Sequence, residues 1–340
     1  MKQIFARAPL RLSFAGGGSD IPAFSDKHGG AVVSVAVNRF AYTVIESAEN
    51  GKIEVNATDQ NSRQIFNSRE QLNRDKELPL HVECLRYFLE LLSIEFFPMR
   101  IITFCESPIG AGLGASSTIT VSLIYALSKF FDLPMTRHEV AETAFYVERV
   151  RCQMSGGKQD QFSASYGGMN LLEFKKDGSV VVQPIQLRQE FSLTLKSWLL
   201  TCYSGQSRLS SKIISSQSKS ILSNDTEVIS ALGAIKNSAY EMNSAVLASD
   251  LQGVVDVFKR NWENKKKTSQ HIAPNDLSNV IEKALSIGAL AGKVSGAGGG
   301  GFLMFWTPLQ RRSAVIEFIE SSRMTVYNCD FCDSGVLSWS

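Results

Sequence analysis

Residues Ser107–Val121, SPIGAGLGASSTITV, set Gly110, Gly112 and Gly114, then Ser116, Ser117 and Thr118, between a strand-like and a helix-like run. The first amides of a helix have no intrahelical partner, and the helix dipole is positive at that end. Glycines just before it let backbone approach an anion without a Cβ in the way. The pattern is therefore that of a phosphate-binding loop rather than a structural turn. It is not a Walker A loop, because no lysine follows the last glycine, and it does not open a Rossmann βαβ unit. Two more glycine runs carry polar neighbours. Gly16–Gly18 precede Ser19 and Asp20, and Gly296 to Gly301 include four consecutive glycines between strand-like runs, more than a hairpin needs.

The elements that must hold these loops are mixed. RLSFAGG reads as a strand entering a glycine loop, and AVVSVAVNRFAYTVIES as a long β-branched run broken near Asn38. MRIITFCES leads into the first quoted stretch. The helix after it, SSTITVSLIYALSKFFDL, has Ser116 or Ser117 as its expected N-cap. MTRHEVAETAFYVERVR is a further helix, with Thr136 and Glu139 at capping-box spacing. A hairpin turning at Asp177-Gly178 follows. Then FSLTLKSWLLTCYSG reads as a strand, followed by three helix-like segments between about 208 and 264. A helix starting at Pro274 to Asp276, a strand–loop–strand around the second glycine run, a helix near 309–321 and short strands complete the chain.

The chain has 340 residues, with 35 basic and 33 acidic side chains and a net charge of +2. This balance gives no electrostatic case for nucleic acid or an anionic membrane as partner. MKQIFARAPLRLSF lacks the apolar core of a signal peptide, and no apolar run approaches the ~20 residues that span a bilayer. Six dispersed cysteines suit free thiols in a reducing cytoplasm. Cys329 and Cys332 form a lone CxxC without a second pair, read as two incidental thiols. The four histidines show no metal spacing.

Three motifs in order, RAPLRLSFAGGGSD (Arg7 to Asp20), PIGAGLGASST (Pro108 to Thr118) and KVSGAGGGGF (Lys293 to Phe302), resemble those of the GHMP kinases. The resemblance runs across nearly the whole chain. It implies an α+β fold with two domains, an S5 domain 2-like unit over 1–190 and a ferredoxin-like unit over 191–340. SGGKQDQFSASYGGMN, YSGQSR and a W-x-x-K-K stretch are similar to the branch of sugar 1-kinases acting on D-glycero-D-manno-heptose 7-phosphate. ATP, Mg2+ and a sugar phosphate are the implied ligands. The implied reaction is phosphorylation of the anomeric hydroxyl to the 1,7-bisphosphate, on the route to GDP-heptose and surface polysaccharide. The setting would be cytoplasmic, with a homodimer as one expected state. The alternatives are another sugar 1-kinase, for L-fucose or galactose, or a non-catalytic ligand sensor on the same fold.

By the same resemblance, Asp160 is the base or orienting group toward the acceptor hydroxyl, and Arg11 is its cationic neighbour. Pro108, Gly110, Ala111, Gly112, Leu113, Gly114, Ala115, Ser116 and Ser117 form the nucleotide site. Ser116 and Glu148 hold the metal, with Glu142 as rival to Glu148 and Ala115 replacing the first serine of the usual pair. Asp20, Gly17, Gly18, Ser19, Gly157, Lys158, Arg208, Gly298 and Gly299 are expected at the acceptor. Asp20 would otherwise cap the helix beginning near Ile21 or Pro22. Arg208 and the run Lys259 to Lys267 are the cations that could meet a distal phosphate, although a charge run is usually a solvated face.

Overall fold

The computed structural model describes residues 2–74, 77–108, 110–206 and 210–340. The first sheet contains β1 (Gln3–Ala15), β2 (Gly30–Ser47), β3 (Ile53–Ala57), β4 (Ser62–Phe66), β5 (Met99–Cys105), β6 (Met169–Phe174) and β7 (Val180–Pro184). β1 and β2 pair antiparallel along most of their length. The expected break near Asn38 is a bulge within one strand. Pro9 pairs with Phe40 and Leu10 with Val37, leaving Asn38 and Arg39 unmatched. Pro9 has no N–H to donate, so a regular ladder cannot continue there. β5 joins β2 antiparallel and β3 parallel, and β4 follows β3. β6 pairs with β2 beyond the bulge and carries β7.

The helices in this half are α1 (Pro22–His28), α2 (Arg69–Arg74), α3 (Pro79–Leu91), α4 (Ala115–Phe130), α5 (Arg137–Phe145) and α6 (Gln159–Tyr166). α4 packs across β1 and β2. Its residues Ile119, Leu123, Ile124 and Leu127 are buried with the inward faces of those strands. α5 begins with the expected capping box of Thr136 and Glu139 and continues into a π-helical turn, Tyr146–Arg151.

The second sheet is antiparallel, in the order β11 (Thr325–Tyr327), β8 (Leu199–Tyr203), β10 (Phe302–Trp306) and β9 (Ala291–Val294). Its helices are α7 (Gln189–Trp198), α8 (Ser210–Leu222), α9 (Thr226–Leu247), α10 (Leu251–Lys266), α11 (Asn275–Ile287) and α12 (Leu309–Ser321). α7 corrects a strand expectation. Phe191, Leu193 and Leu195 alternate like a strand, yet Phe191 and Leu195 are buried one helical turn apart and Leu193 is 59% exposed.

The two halves share one core. Phe14 of β1 meets Trp306 of β10 edge-on at 5.3 Å, and Phe258 of α10 meets the same indole at 5.9 Å. α9 lies on β1 and β2. The strand β12 (Leu337–Trp339) returns to the first sheet and pairs with β1, Phe5 opposite Trp339. A single cut near residue 190 therefore does not separate the two sheets.

Candidate active site

The cleft between the halves is lined by all three glycine runs. Gly114 caps α4 in the left-handed conformation (φ 79°, ψ 25°), without a side-chain cap. Neither Ser116 nor Ser117 is the N-cap, because each already lies in the first helical turn. The first intrahelical bond runs from the Thr118 amide to the Gly114 carbonyl at 2.9 Å, so the amides of Ala115, Ser116 and Ser117 precede it. Both serine hydroxyls are spent elsewhere. Ser116 Oγ donates to Glu148 Oε1 at 3.1 Å, and Ser117 Oγ accepts from Gln161 Nε2 at 3.1 Å.

Glu148 is fully buried and sits in the π-helical turn, a distortion that re-aims side chains and recurs at functional sites. Its other oxygen accepts from Gln161 Nε2 and lies 3.7 Å from Arg149. Glu142 faces away, 3.6 Å from Lys158 and 4.0 Å from His138. Of the two rivals, Glu148 is the one in the cleft.

Arg11 reaches from β1 under the nucleotide loop. Its Nε and Nη2 lie 2.7 Å from Asp160 Oδ1, and its Nη1 donates to the Gly112 carbonyl at 2.7 Å. The guanidinium is nearly buried, whereas the Asp160 side chain keeps 21% exposure toward the cleft. Gly114 leaves room for that carboxylate, since a Cβ there would stand 3.1 Å from Asp160 Cγ.

The second glycine loop buttresses the first. Ser295 Oγ donates to the Gly112 carbonyl at 2.9 Å, and the Phe302 amide to the Ala111 carbonyl at 2.8 Å. A Cβ on Gly301 would fall 2.2 Å from the Ala111 oxygen, so the two loops touch backbone to backbone.

Sequence and fold comparisons show the family of the chain. The family model for the GHMP kinases N terminal domain matches residues 79–168, and that for the GHMP kinases C terminal domain matches 242–324. A D-glycero-alpha-D-manno-heptose 7-phosphate kinase of Campylobacter jejuni is 30% identical over 100% of this chain and 99% of its own. The chain is a GHMP kinase. The crystal structure of a D-glycero-D-manno-heptose 1-phosphate kinase from Bacteroides thetaiotaomicron superposes with a TM-score of 0.85 and 31% identity, covering 99% of each chain. An L-fucokinase/L-fucose-1-P guanylyltransferase of Bacteroides fragilis is 23% identical over 88% of this chain and 34% of its own. As a GHMP kinase the chain is an ATP-dependent phosphotransferase. Among the described residues no helix is long and apolar enough to cross a membrane.

On the side of the cleft expected to take the acceptor, Asp20 is almost wholly buried. It does not cap α1, whose N-cap is Ile21. Its Oδ2 accepts the Gln159 amide at 3.1 Å, at the start of α6, and its Oδ1 accepts Gly18 N–H at 3.0 Å and Gln159 Nε2 at 3.1 Å. Burial, and then the charge of Asp160, raises the Asp20 pKa above the ordinary carboxylate value. Ser19 is internal, bonding the Gly16 and Ala31 carbonyls, and the Gly17 carbonyl accepts from Lys265 Nζ at 2.8 Å. Ser19 and Gly17 therefore brace the loop, while Gly18 and Asp20 line the cleft. Gly157 also lines it, pressed against Asp20.

Lys158, Gly298 and Gly299, expected at the acceptor, do not line the cleft either. Lys158 turns outward, donating to the Gly178 carbonyl at 2.6 Å and lying over the Phe145 ring. Gly298 and Gly299 pack on Ile272, the Gly299 amide donating to its carbonyl at 2.8 Å, so Gly296 and Ala297 reach the cleft instead. Arg208 lies outside the described residues.

Sequence reasoning did not single out Arg149, Gln159, Gln161, Ile214 and Gln217. Gln161 had a usable signal, an amide two residues into a helix beside the candidate aspartate. Ile214 and Gln217 of α8 had none, since only the tertiary fold brings them over the cleft.

The donor set fits a magnesium ion. Ser116 Oγ and the buried Glu148 carboxylate are adjacent, and Gln161 Oε1 beside them is buried without a partner. Magnesium takes few protein oxygens and completes its shell with phosphate and water.

Proposed function

We propose that this GHMP kinase is a sugar kinase that transfers the γ-phosphoryl of ATP to the anomeric hydroxyl of D-glycero-α-D-manno-heptose 7-phosphate, giving the 1,7-bisphosphate. One observation carries the reading: a part-exposed carboxylate, Asp160, held at 2.7 Å by an arginine that also grips the nucleotide loop. Phosphoryl transfer asks mainly for alignment and charge neutralisation. Asp160 would accept the hydroxyl proton, or orient the hydroxyl, as its oxygen attacks phosphorus and the bond to the ADP oxygen breaks. Arg11 would hold the Asp160 carboxylate in place and stabilise charge on the transferring group. The free amides of Ala115 to Ser117 would receive the phosphates.

Ser116 and Glu148 would hold Mg2+, which when bound neutralises the β- and γ-phosphates. The heptose phosphate acceptor is supported by the Campylobacter relative, similar over the full chain. A neutral sugar such as L-fucose is the second reading, favoured by the fucokinase similarity.

ADP release with MgATP across heptose 7-phosphate, L-fucose, galactose and mannose tests both readings. Turnover on the heptose phosphate, with kcat reduced about a thousandfold in Asp160→Asn, is the expected result. Turnover on a free sugar alone would discard the phosphorylated acceptor.

A further inference from the structure

α10 carries a buried stripe with an unusual ending. Val254, Phe258, Asn261 and Lys265 follow at helical spacing, and all four are buried. A stripe facing a core is normally apolar throughout. Its two polar members are both spent on the acceptor loop: Asn261 Oδ1 accepts Gly16 N–H at 3.0 Å, and Lys265 Nζ donates to the Gly17 carbonyl at 2.8 Å. Lys293 of β9 adds a third hold, donating to the Phe14 carbonyl at 2.7 Å with its ammonium 4.3 Å over the Phe258 ring.

Lys265 differs from Lys293 in one respect, which is that it lines the cleft. An ammonium has three N–H donors, and the Gly17 carbonyl takes one. Among the described residues no carboxylate lies within ion-pair distance of Lys265. Asp20, the nearby acid, has its oxygens occupied by Gly18 and Gln159. The next residue, Lys266, shows the ordinary alternative, exposed and paired with Glu263 at 2.8 Å. Burying an unpaired ammonium is costly, and a methionine of similar length would fill the same space without that cost. What sets Lys265 apart from Lys293 is that the donors left over from the Gly17 carbonyl face a cleft in which an anionic ligand can meet them.

We propose that Lys265 reads a second anionic group on the acceptor, a phosphate monoester remote from the hydroxyl that is phosphorylated. Gln217 shares that wall, its Nε2 donating at 2.6 Å to Thr268 Oγ1, which donates in turn to the Lys265 carbonyl at 2.8 Å. α8 and the last turn of α10 thus form one polar wall beside Asp20. Of the charge run Lys259 to Lys267, this is the cation that the cleft reaches. The inference rests on the reading of the acceptor as a sugar phosphate.

Two measurements on full-length Lys265→Met separate the two ideas. The first is the ratio of kcat/KM for heptose 7-phosphate to that for the unphosphorylated heptose. A fall of about 30-fold, carried by KM, is expected from losing one charge-assisted hydrogen bond. A parallel loss on both sugars would overturn the proposal and make Lys265 a brace for the loop. The second is calorimetric binding of inorganic phosphate to protein saturated with AMPPNP, so that the γ-phosphate position is filled. Phosphate binding at least about tenfold weaker in the variant supports the assignment even if no sugar phosphate is turned over. Equal binding overturns it, even if heptose 7-phosphate proves to be the substrate. Unchanged AMPPNP affinity reports that the variant is folded.

Discussion

The sides of the cleft proposed here for the nucleotide and for the acceptor are built in opposite ways. The nucleotide side comes from a short continuous stretch, Gly110 to Ser117, backed by one carboxylate and one neighbouring loop. Its ligand-facing groups are mostly backbone amides, so what matters is conformation. The acceptor side is assembled from the loop after β1, the start of α6, α8 and the end of α10, and it works through side chains. A site made of backbone tolerates little change in shape. A site made of side chains from separate segments can be retuned one residue at a time.

The largest expected break in that comparison is Gly112→Val. A Cβ at Gly112 would lie 2.8 Å from the Ser295 oxygen, with φ at 88°, so both glycine loops must shift. ATP affinity should fall by about 100-fold or more, with far-ultraviolet circular dichroism retained. Unchanged affinity would sink the loop assignment. Glu148→Gln should raise the Mg2+ concentration for half-maximal rate about tenfold, with acceptor KM little altered. An unchanged requirement would remove Glu148 from the metal site.

The acceptor side should show its own pH signature. Burial lowers the Lys265 pKa to about 8, with the charges of Asp20 and Asp160 opposing that shift and that of Arg11 adding to it. The lysine is charged below that pH and loses its charge above it. Between pH 7 and 9, kcat/KM for a phosphorylated acceptor should therefore fall about tenfold, while that for a free sugar falls less. Identical profiles would count against a charged acceptor wall. Smallest of all, Gln217→Ala should raise the acceptor KM about fivefold and leave the ATP KM within about twofold. Equal rises in both would blur the two sides into one.

The same contrast governs what the sequence made legible. Glycines ahead of a helix announce an amide cradle, so the phosphate loop was legible from the residues alone, whereas Asp160, Arg11, Ser116 and Glu148 stood out only through the resemblance to the GHMP kinases. Their local geometry was less legible. Nothing in the string SST marks both serines as lying inside the helix rather than at its cap. Lys158 sits beside Asp160 in sequence, but the turn into α6 sends it outward to Gly178. Asp20 precedes α1, yet it serves the start of α6 because Gly157 leaves no Cβ between them. Ile214 and Gln217 depend on where α8 docks, which no local pattern encodes.

The pairing of β12 with β1 has a consequence for how the polypeptide becomes a protein. Phe5 cannot meet Trp339 until more than three hundred intervening residues have emerged and been organised. During synthesis β1 is an open edge, with its stacked aromatic partner still missing. Loop closure over such a separation is slow, so a long-lived nascent state with a sticky rim is expected, of the kind that chaperones shield. Once closed, the same clasp makes unfolding of either sheet disturb the other, and the enzyme should melt in one step rather than two.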